Sequence, residues 1–484
     1  MSVYDDIERM SLRVMFIEPP KEFWFVMGEY LPPPTAAIQL AAYLESKRPK
    51  DEITVIDCQA EDLDWRGLEK RLEAEEPDIV AVSSLATCNA YTVVRTMEIA
   101  KKVAPNVFTI TGGQHFTALA EPSLQQHTVI DAIVRGEGEQ TLVEVVKAVE
   151  DNRSLAEVKG LSFRHCDEIV STPPRPLIEN LDDLPMPGYH FVDDHMDRYH
   201  FRMMAGDMRY AIIEGSRGCS HNCTFCSQCT FWGNRWRSKS GRRIADEMEY
   251  CRDKFGAEFV WLTDDNFAFS PRANKMFDEF VGRGLGDDIR WFVQARVDDV
   301  VRSQKSLPMM RRSGNQWVLL GVESGSPETL ASYRKDVEPH EAHEAVRLLK
   351  RNDIFAQATL IIGHRKDTHE SIEGLRRFVD DIDPDLAIFM ILTPFPGTEL
   401  YDEAVGNGWI EDWNWANYDM IHSVMPTETL TREEVQDELY ACYRGFYGSL
   451  PRQLRGIFSS NKFKRRTYRY LASQKLLRQL KDLI

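Results

Sequence analysis

Cys219, Cys223 and Cys226 stand in the spacing C-x3-C-x2-C inside the stretch Gly215-Ser216-Arg217-Gly218-Cys219-Ser220-His221-Asn222-Cys223-Thr224-Phe225-Cys226. Thiolates are soft ligands, and a group of them within a few residues can wrap one iron–sulfur cube. Three ligands leave one iron of a 4Fe-4S cube without a protein thiolate, and an open coordination position is what separates a catalytic metal site from a structural one. Cys229 follows at a further x2 spacing, so a closed four-thiolate site, zinc or a purely electron-carrying cluster, is the alternative. Structural zinc sites, however, usually draw their ligand pairs from two separated knuckles. A disulfide framework fits less well. The chain has 9 cysteines, an odd number, in 484 residues, and Met1 to Met10 carries no apolar leader, so the thiols read as reduced and cytoplasmic.

Such a loop needs a frame. Apolar runs at Arg209 to Ile213, Phe259 to Thr263, Arg290 to Gln294, Trp317 to Leu320, Gln357 to Ile362 and Leu386 to Leu392 alternate with helical stretches. Repeated βα units of this kind close into a full or partial barrel with its site at the carboxyl ends of the strands, and the cysteine loop follows the first run. The remaining strand ends carry polar residues: Thr263-Asp264-Asp265-Asn266, Ala295-Arg296-Val297-Asp298 and Gly321-Val322-Glu323-Ser324. Arg296 has the forked geometry that pairs with a carboxylate.

The first 150 residues alternate in the same way, with apolar runs at Leu12 to Ile17, Ile53 to Ile56, Asp78 to Val82, Val107 to Thr111 and Asp131 to Val134 between helical stretches. That pattern implies an α/β, doubly wound, Rossmann-like sheet that binds ligands beyond the carboxyl ends of its strands. Those ends hold Pro20, then Ser83-Ser84-Leu85-Ala86-Thr87, Gly112-Gly113-Gln114-His115 and Gly136-Glu137-Gly138. Small residues there let a bulky ligand approach the backbone.

Three further features bound the organisation. Residues 151–207, with Pro173-Pro174-Arg175-Pro176 and Leu184-Pro185-Met186-Pro187, read as an irregular connector. The region 410–484 is aromatic and then basic, as in Lys462, Lys464, Arg465, Arg466 and Arg469; it reads either as a docking surface for an acidic protein or a membrane, or as a helix closing the barrel. The net charge of -17 argues against a nucleic-acid binder, and no apolar run approaches the ~20 residues that span a bilayer.

Taken together, the three-cysteine spacing with Phe225 before its last member resembles the signature of the radical S-adenosylmethionine enzymes, and the glycine-bearing strand ends before it resemble the cobalamin-binding domain of that family's cobalamin-dependent members. The stretch Cys226-Ser227-Gln228 to Trp232 is similar to the branch of the anaerobic magnesium-protoporphyrin monomethyl ester cyclase and of C-methyltransferases, one of which modifies a glutamine of methyl-coenzyme M reductase. The resemblance implies domains at 1–150 (cobalamin, Rossmann-like), 151–207 (linker), 208–409 (a partial (β/α)6 barrel) and 410–484 (α-rich). It implies a 4Fe-4S cluster on Cys219, Cys223 and Cys226, with Cys229 not a ligand. S-adenosylmethionine would be held by Phe225, Asp264, Asp265, Asn266, Arg296, Glu323 and Ser324, with the aspartates at its amino group and Glu323 at its ribose. Cobalamin would be held by Pro20, Tyr30, Ser83, Ser84, Thr87, Gly112, Gly113, His115, Gly136, Glu137 and Gly138. Residues 18–34 contain no histidine, so no histidine ligand to cobalt is expected, and Tyr30 is a candidate for that face by position.

The activity implied is a radical C-methylation of an unactivated carbon in an anaerobe's cytoplasm, fed by an external electron donor such as ferredoxin or flavodoxin. A protein or peptide substrate is favoured by the aromatic, basic end; a tetrapyrrole, as in oxidative cyclisation, is the alternative. A methylthiotransferase fits poorly, since Cys58, Cys88 and Cys166 are too scattered for a second cluster. A non-catalytic cobalamin and iron–sulfur sensor would not need polar residues after successive barrel strands.

Overall fold

The computed structural model describes residues 11–20, 30–84, 86–166 and 168–473. They form two compact units, one built chiefly of the first strand and Pro34–Ile178, the other of the chain from Asp194 onward together with residues 30–33 and Glu179–Asp183. Among the described residues no helix is long and apolar enough to cross a membrane.

The first unit is a seven-stranded sheet: β1 (Arg13–Glu18), β2 (Glu52–Asp57), β3 (Ile79–Ser84), β4 (Phe108–Gly113), β5 (Ala132–Val134), β6 (Leu161–His165) and β7 (Glu168–Ser171), in the order β2-β1-β3-β4-β5-β6-β7. The pairs from β2 to β5 are parallel, and β6 and β7 add antiparallel. Val14 to Ile17 are buried without a break, as a central strand covered on both faces requires. The strand order reverses between β1 and β3, and such a switch point is where an open α/β sheet leaves a crevice for a ligand. The connector expected at 151–207 is shorter than the sequence suggests. Leu161 to Ser171 joins the sheet as a hairpin, with Ser162 and Ser171 hydroxyls 2.8 Å apart, so this unit runs on to Ile178. Two four- or five-residue strands are too brief for their alternation to stand out beside the prolines that follow.

The second unit holds six parallel strands in sequential order: β8 (Tyr210–Ile213), β9 (Phe259–Leu262), β10 (Arg290–Arg296), β11 (Asn315–Glu323), β12 (Phe355–Ile362) and β13 (Leu386–Ile391). The sheet stays open at β8 and β13, a partial barrel. Its amino-terminal half is plugged by Tyr210, Phe259, Phe292, Trp317 and Phe355, into which Phe463 of α11 (Lys462–Ser473) inserts, stacking on Phe259 at 6.0 Å. Trp317 can be buried in the plug because its Nε1 donates to the buried Gln357 Oε1 at 2.8 Å.

Other helices used below are α1 (Thr35–Lys47), α2 (Trp65–Glu75), α3 (Ala90–Val103), α4 (Glu139–Glu150), α5 (Gly241–Phe255), α6 (Pro271–Gly282), α7 (Pro339–Arg351), α8 (His369–Ile382), α9 (Arg432–Gly448) and α10 (Leu450–Ile457). α9 gives the aromatic carboxyl-terminal segment a function. Tyr443 donates its hydroxyl to the Phe389 carbonyl at 2.9 Å and Tyr447 to the Ala387 carbonyl at 2.7 Å, so two phenols satisfy the open edge of β13. Much of the basic end is spent inward: Lys464 pairs with Asp385, and Arg466 donates to the Met204 carbonyl. That matches the reading of a helix closing the barrel. The basic residues from 474 on, like Leu85 among the predicted strand-end residues, lie outside the described part.

Candidate functional site

The cysteine loop leaves β8 at Ile213 and is fastened at its root. Ser216–Arg217 pairs antiparallel with Arg237–Ser238, so the two ends of the loop are tied. Gly218 has φ +82°, and a side chain there would collide with the Arg235 carbonyl and Trp232; only glycine lets the chain turn into Cys219. Two carboxylates from the end of β9 hold the same stretch. Asp264 accepts from the Gly215 N–H at 3.0 Å and Asp265 from the Gly218 N–H at 2.9 Å. Asp264 is fully buried and its other oxygen faces Arg272 of α6 at 3.3 Å, whose guanidinium lies over the Trp236 ring. Asp264 is thus engaged through both oxygens, each of which keeps a further acceptor position for the amino group expected at these aspartates. Burial, with Glu214 and Asp264 nearby, pushes the Asp265 carboxyl up to about 7 despite the Gly218 N–H.

The three thiols are half-buried, and burial pushes Cys219 and Cys223 up. Arg296 acts in the opposite sense on both, and Lys335 on Cys223, favouring the thiolate. Cys229 is buried and its Sγ donates to the His221 carbonyl at 3.1 Å; its hydrogen bond with Cys226, ahead of burial, raises the Cys226 thiol. The thiols share the loop without converging into finished metal-ligand geometry, and no other group of three His, Cys, Asp or Glu does so among the described residues. Three soft donors beside two buried cations are a set whose chemistry fits an iron–sulfur group. Phe225 packs its ring against Tyr333 at 5.0 Å, and the Thr224 N–H donates to the Tyr333 carbonyl at 3.2 Å.

Behind the cysteines the strand ends form one buried polar network. Arg296 pairs with Asp298 at 2.9 Å and donates to the Lys335 carbonyl; the Lys335 ammonium pairs with Glu323 at 2.7 Å; the second Glu323 oxygen accepts from Thr359 at 3.2 Å. Burial opposes the charge of Lys335, yet Glu323 and Cys223 beside it keep its pKa above the ordinary lysine range. Glu323 has φ +65° at a register shift of β11, a strained backbone for a residue with a side chain. Gly321 makes room for the ion pair, since a Cβ there would lie 2.7 Å from the Glu323 oxygen and 2.8 Å from the Lys335 nitrogen. Asn266 bridges the neighbouring ends, accepting from the Arg296 N–H at 3.2 Å and donating to Asp299 at 2.9 Å, while the Ser324 hydroxyl accepts from the Ser326 N–H at 3.1 Å. Lys335 and Arg272 were missed in the sequence. Nothing in the local spacing marks either; each finds its carboxylate only through the fold.

In the first unit, Pro20 follows β1, and Ser83 and Ser84 end β3, with the Ser84 hydroxyl donating to the Ala86 carbonyl at 2.8 Å and Thr87 buried in the turn behind it. Gly113 has φ +96°, and a side chain there would strike the Ser84 carbonyl; a Cβ on Gly112 would sit 3.1 Å from the Val134 carbonyl, and one on Gly138 2.9 Å from Leu40. These three glycines answer the protein's own packing. Gly136 differs: at φ +78° its Cβ position is open space, and its N–H donates to Thr117 at 3.2 Å. Glu137 accepts from the Ile178 N–H at 2.6 Å, and His115 is buried, which with His127 nearby brings its imidazole down to about 4. Tyr30 lies in the second unit. Residues 30 and 31 pair with Phe201 and His200, and the Tyr30 ring packs on Phe201 (4.7 Å) and Tyr210 (6.1 Å) in the barrel's aromatic plug.

Comparison with known proteins gives two family matches: residues 28–146 to the B12 binding domain and residues 213–379 to the radical SAM superfamily. An uncharacterized methyltransferase of Pyrococcus horikoshii is 33% identical over 457 residues, 93% of this chain and 96% of that one. The anaerobic magnesium-protoporphyrin IX monomethyl ester cyclase of Rubrivivax gelatinosus is 31% identical over 443 residues, 90% of this chain and 77% of that one. Among solved structures, the cobalamin-dependent S-adenosylmethionine radical enzyme OxsB, with aqua-cobalamin and S-adenosylmethionine bound, superimposes with a TM-score of 0.74 over 97% of this chain and 72% of that chain at 16% identity, a likeness of fold.

Proposed function

The chain belongs to the cobalamin-dependent radical S-adenosylmethionine methyltransferases, and from that premise we propose that it places a methyl group on an unactivated carbon of a protein or peptide. The observation that carries the reading is the cysteine loop pinned by Asp264 and Asp265 at the open end of a plugged barrel, in a chain that also carries a B12-binding sheet.

Cys219, Cys223 and Cys226 would hold the cluster, and Phe225, Asn266, Arg296, Glu323 and Ser324 stand at the strand ends where S-adenosylmethionine would lie. Pro20, Ser83, Ser84, Thr87, His115 and the backbone at Gly136 would receive cobalamin. When bound, the cluster with S-adenosylmethionine supplies hydrogen abstraction from carbon and cobalamin supplies the methyl group. The protein's own residues position these groups and exclude water. The aromatic plug closes the barrel from below; Arg296 and Lys335 offset thiolate charge; Asp264 and Asp265 keep the loop from shifting.

A peptide substrate is supported by Trp413, 51% exposed on the segment that joins the carboxyl end of β13 through the Ile391 N–H and the Met420 carbonyl at 2.8 Å. The glutamine of methyl-coenzyme M reductase is the first target to test. The cyclase relative favours a second reading, oxidation of a tetrapyrrole. The test is anaerobic incubation of the reconstituted protein with methylcobalamin, S-adenosylmethionine deuterated in its methyl group and a reductant, followed by mass spectrometry of candidate peptides and porphyrins. Labelled methyl on a peptide together with 5′-deoxyadenosine is expected. An oxidised, unmethylated porphyrin would replace this reading with the cyclase one, and turnover without 5′-deoxyadenosine would end both.

A further inference from the structure

The carboxyl-terminal helices present a surface that neither the barrel nor the site uses. α10 turns Arg452 and Gly456 inward, where Arg452 pairs with Asp380 at 2.9 Å and Asp383 at 3.1 Å. Leu450, Leu454 and Phe458, four residues apart and so aligned along one side of the helix, are 63%, 46% and 74% exposed. Among the described residues the other large exposed apolar side chains, Tyr91, Val405 and Trp413, occur singly along the sequence. Cations stand on the same two helices. Arg455, Lys462 and Arg469 are exposed, Arg455 also reaching Asp383 at 3.4 Å, and of the ten Lys and Arg among residues 450–484, against one acid, Asp482, Arg452, Lys464 and Arg466 are turned inward. Beyond Ser473, outside the described residues, the sequence keeps this composition, with Leu476, Leu477 and Leu480 among Lys475, Arg478 and Lys481.

We propose that this face docks the protein onto an anionic lipid surface, Leu450, Leu454 and Phe458 entering the boundary between headgroups and acyl chains and Arg455, Lys462 and Arg469 meeting the phosphates. An exposed apolar stripe with cations on the same helices suits a deformable lipid boundary, whereas a protein partner must offer a complementary groove. A second copy using the same face would bring Arg455, Lys462 and Arg469 of both chains together, which like-charge repulsion opposes. Anionic headgroups supply the missing counter-charge.

The placement has a consequence for access. Asp383 and Asp385, which anchor α10 and α11, immediately precede β13, and Phe463 stacks on the first residue of β9, so the docking face lies at the amino-terminal end of the barrel. The cysteine loop is at the opposite end. A docked protein therefore faces its site away from the lipid, toward substrates in water.

The experiment is sedimentation of the full reconstituted protein with vesicles of phosphatidylcholine alone or phosphatidylcholine with phosphatidylserine. Binding to the phosphatidylserine vesicles is expected, weakened about tenfold or more in a Leu454→Glu, Phe458→Glu variant and in an Arg455→Glu, Arg469→Glu variant, the residual binding of the latter depending less steeply on salt. Circular dichroism and cofactor absorbance should be unchanged in both; if the glutamates disturb folding, Phe458→Ser with Leu454→Ser serves instead. No binding to phosphatidylserine vesicles, or binding that the folded variants retain in full, overturns the proposal. Self-association in solution that the Leu454→Glu, Phe458→Glu variant abolishes, without vesicle binding, overturns it in favour of a second copy.

Discussion

At the carboxyl ends of the barrel strands, Arg296, Asp298, Glu323 and Lys335 lie buried in one connected set of ion pairs, while the carboxyl ends of the first sheet carry Ser84, its hydroxyl donated to the Ala86 carbonyl, and the glycines Gly112, Gly113 and Gly136. Both are the binding edges of parallel sheets, yet they are prepared differently. Buried charges must be paired, because leaving one alone in the interior costs several kcal/mol, on the order of 3–5 kcal/mol. The barrel therefore fixes charges where a small zwitterionic ligand and a thiolate set would need them before either arrives. The first sheet's edge holds its carboxylates on backbone N–H groups, Asp57 on Gln59 and Ala60 and Glu137 on Ile178, beside glycine backbone, which suits a large ligand held through many weak backbone contacts. Charge placement specifies the chemistry at one edge, and the lack of side chains shapes the other.

The sharpest way to break this comparison is at the cysteines. Cys223→Ala should abolish cluster binding and lower S-adenosylmethionine cleavage by at least about 10³-fold, as removal of one member of a group acting as a unit does. Cys229→Ser should retain iron, since the Cys229 thiol is buried and donates to the His221 carbonyl. Iron analysis of both variants checks this, and an iron-free Cys229→Ser protein would make the site a four-thiolate one.

Next comes the ion pair. Lys335→Met strands Glu323 in the interior and should destabilise the protein by about 3–5 kcal/mol in urea. Adding Glu323→Leu should recover most of that stability while 5′-deoxyadenosine formation stays low. Recovery of both would show that the pair is structural filling and would erase the contrast between the two edges.

The first sheet is sharpened by two glycines. Gly113→Ala meets the Ser84 carbonyl at positive φ and should cost about 3 kcal/mol. Gly136→Ala has open space around it and should cost about 1 kcal/mol from backbone conformation alone. If Gly136 faces cobalamin, its variant weakens cobalamin binding, followed by absorbance, out of proportion to that small loss.

The sequence made visible what is local. The cysteine spacing, the order of βα units, and the run Asp264-Asp265-Asn266 all lie within a few residues of the strand ends that present them, so their position followed from counting strands. Their task did not: the carboxylates at β9 reach back to Gly215 and Gly218, a contact made only once β8 and β9 are side by side. Lys335 was invisible for the same reason, twelve residues beyond Glu323 and brought back by the short helix Pro327–Ser332 that follows β11. Tyr30 was read by its place after β1, whereas the nearby aromatic plug determines where its ring goes. The glycines of the first sheet were legible as needed but not as to why, since a ligand's approach and a neighbouring strand's carbonyl ask for the same residue.

The smallest effect contrasts the two units through their titration. His115, neutral in the interior with its pKa down at about 4, binds a proton more readily when unfolded, so its contribution to stability is present above the unfolded value near 6.5 and is lost as pH falls toward 4. Asp265 has the opposite sign. Its folded pKa of about 7 lies above the unfolded value near 3.9, so its contribution is present at low pH and is lost as pH rises through 7. Each can tilt stability by at most about 1.4 kcal/mol per pH unit within its window. Urea denaturation of the cofactor-free full chain between pH 4 and 7 should show opposite changes of slope over the same interval: His115→Phe removes a contribution that rises with pH, and Asp265→Asn, which keeps an oxygen for the Gly218 N–H, removes one that falls with pH. If His115→Phe instead made stability rise more steeply with pH, or Asp265→Asn made it fall more steeply, the burial that distinguishes the two edges would have been assigned to the wrong groups.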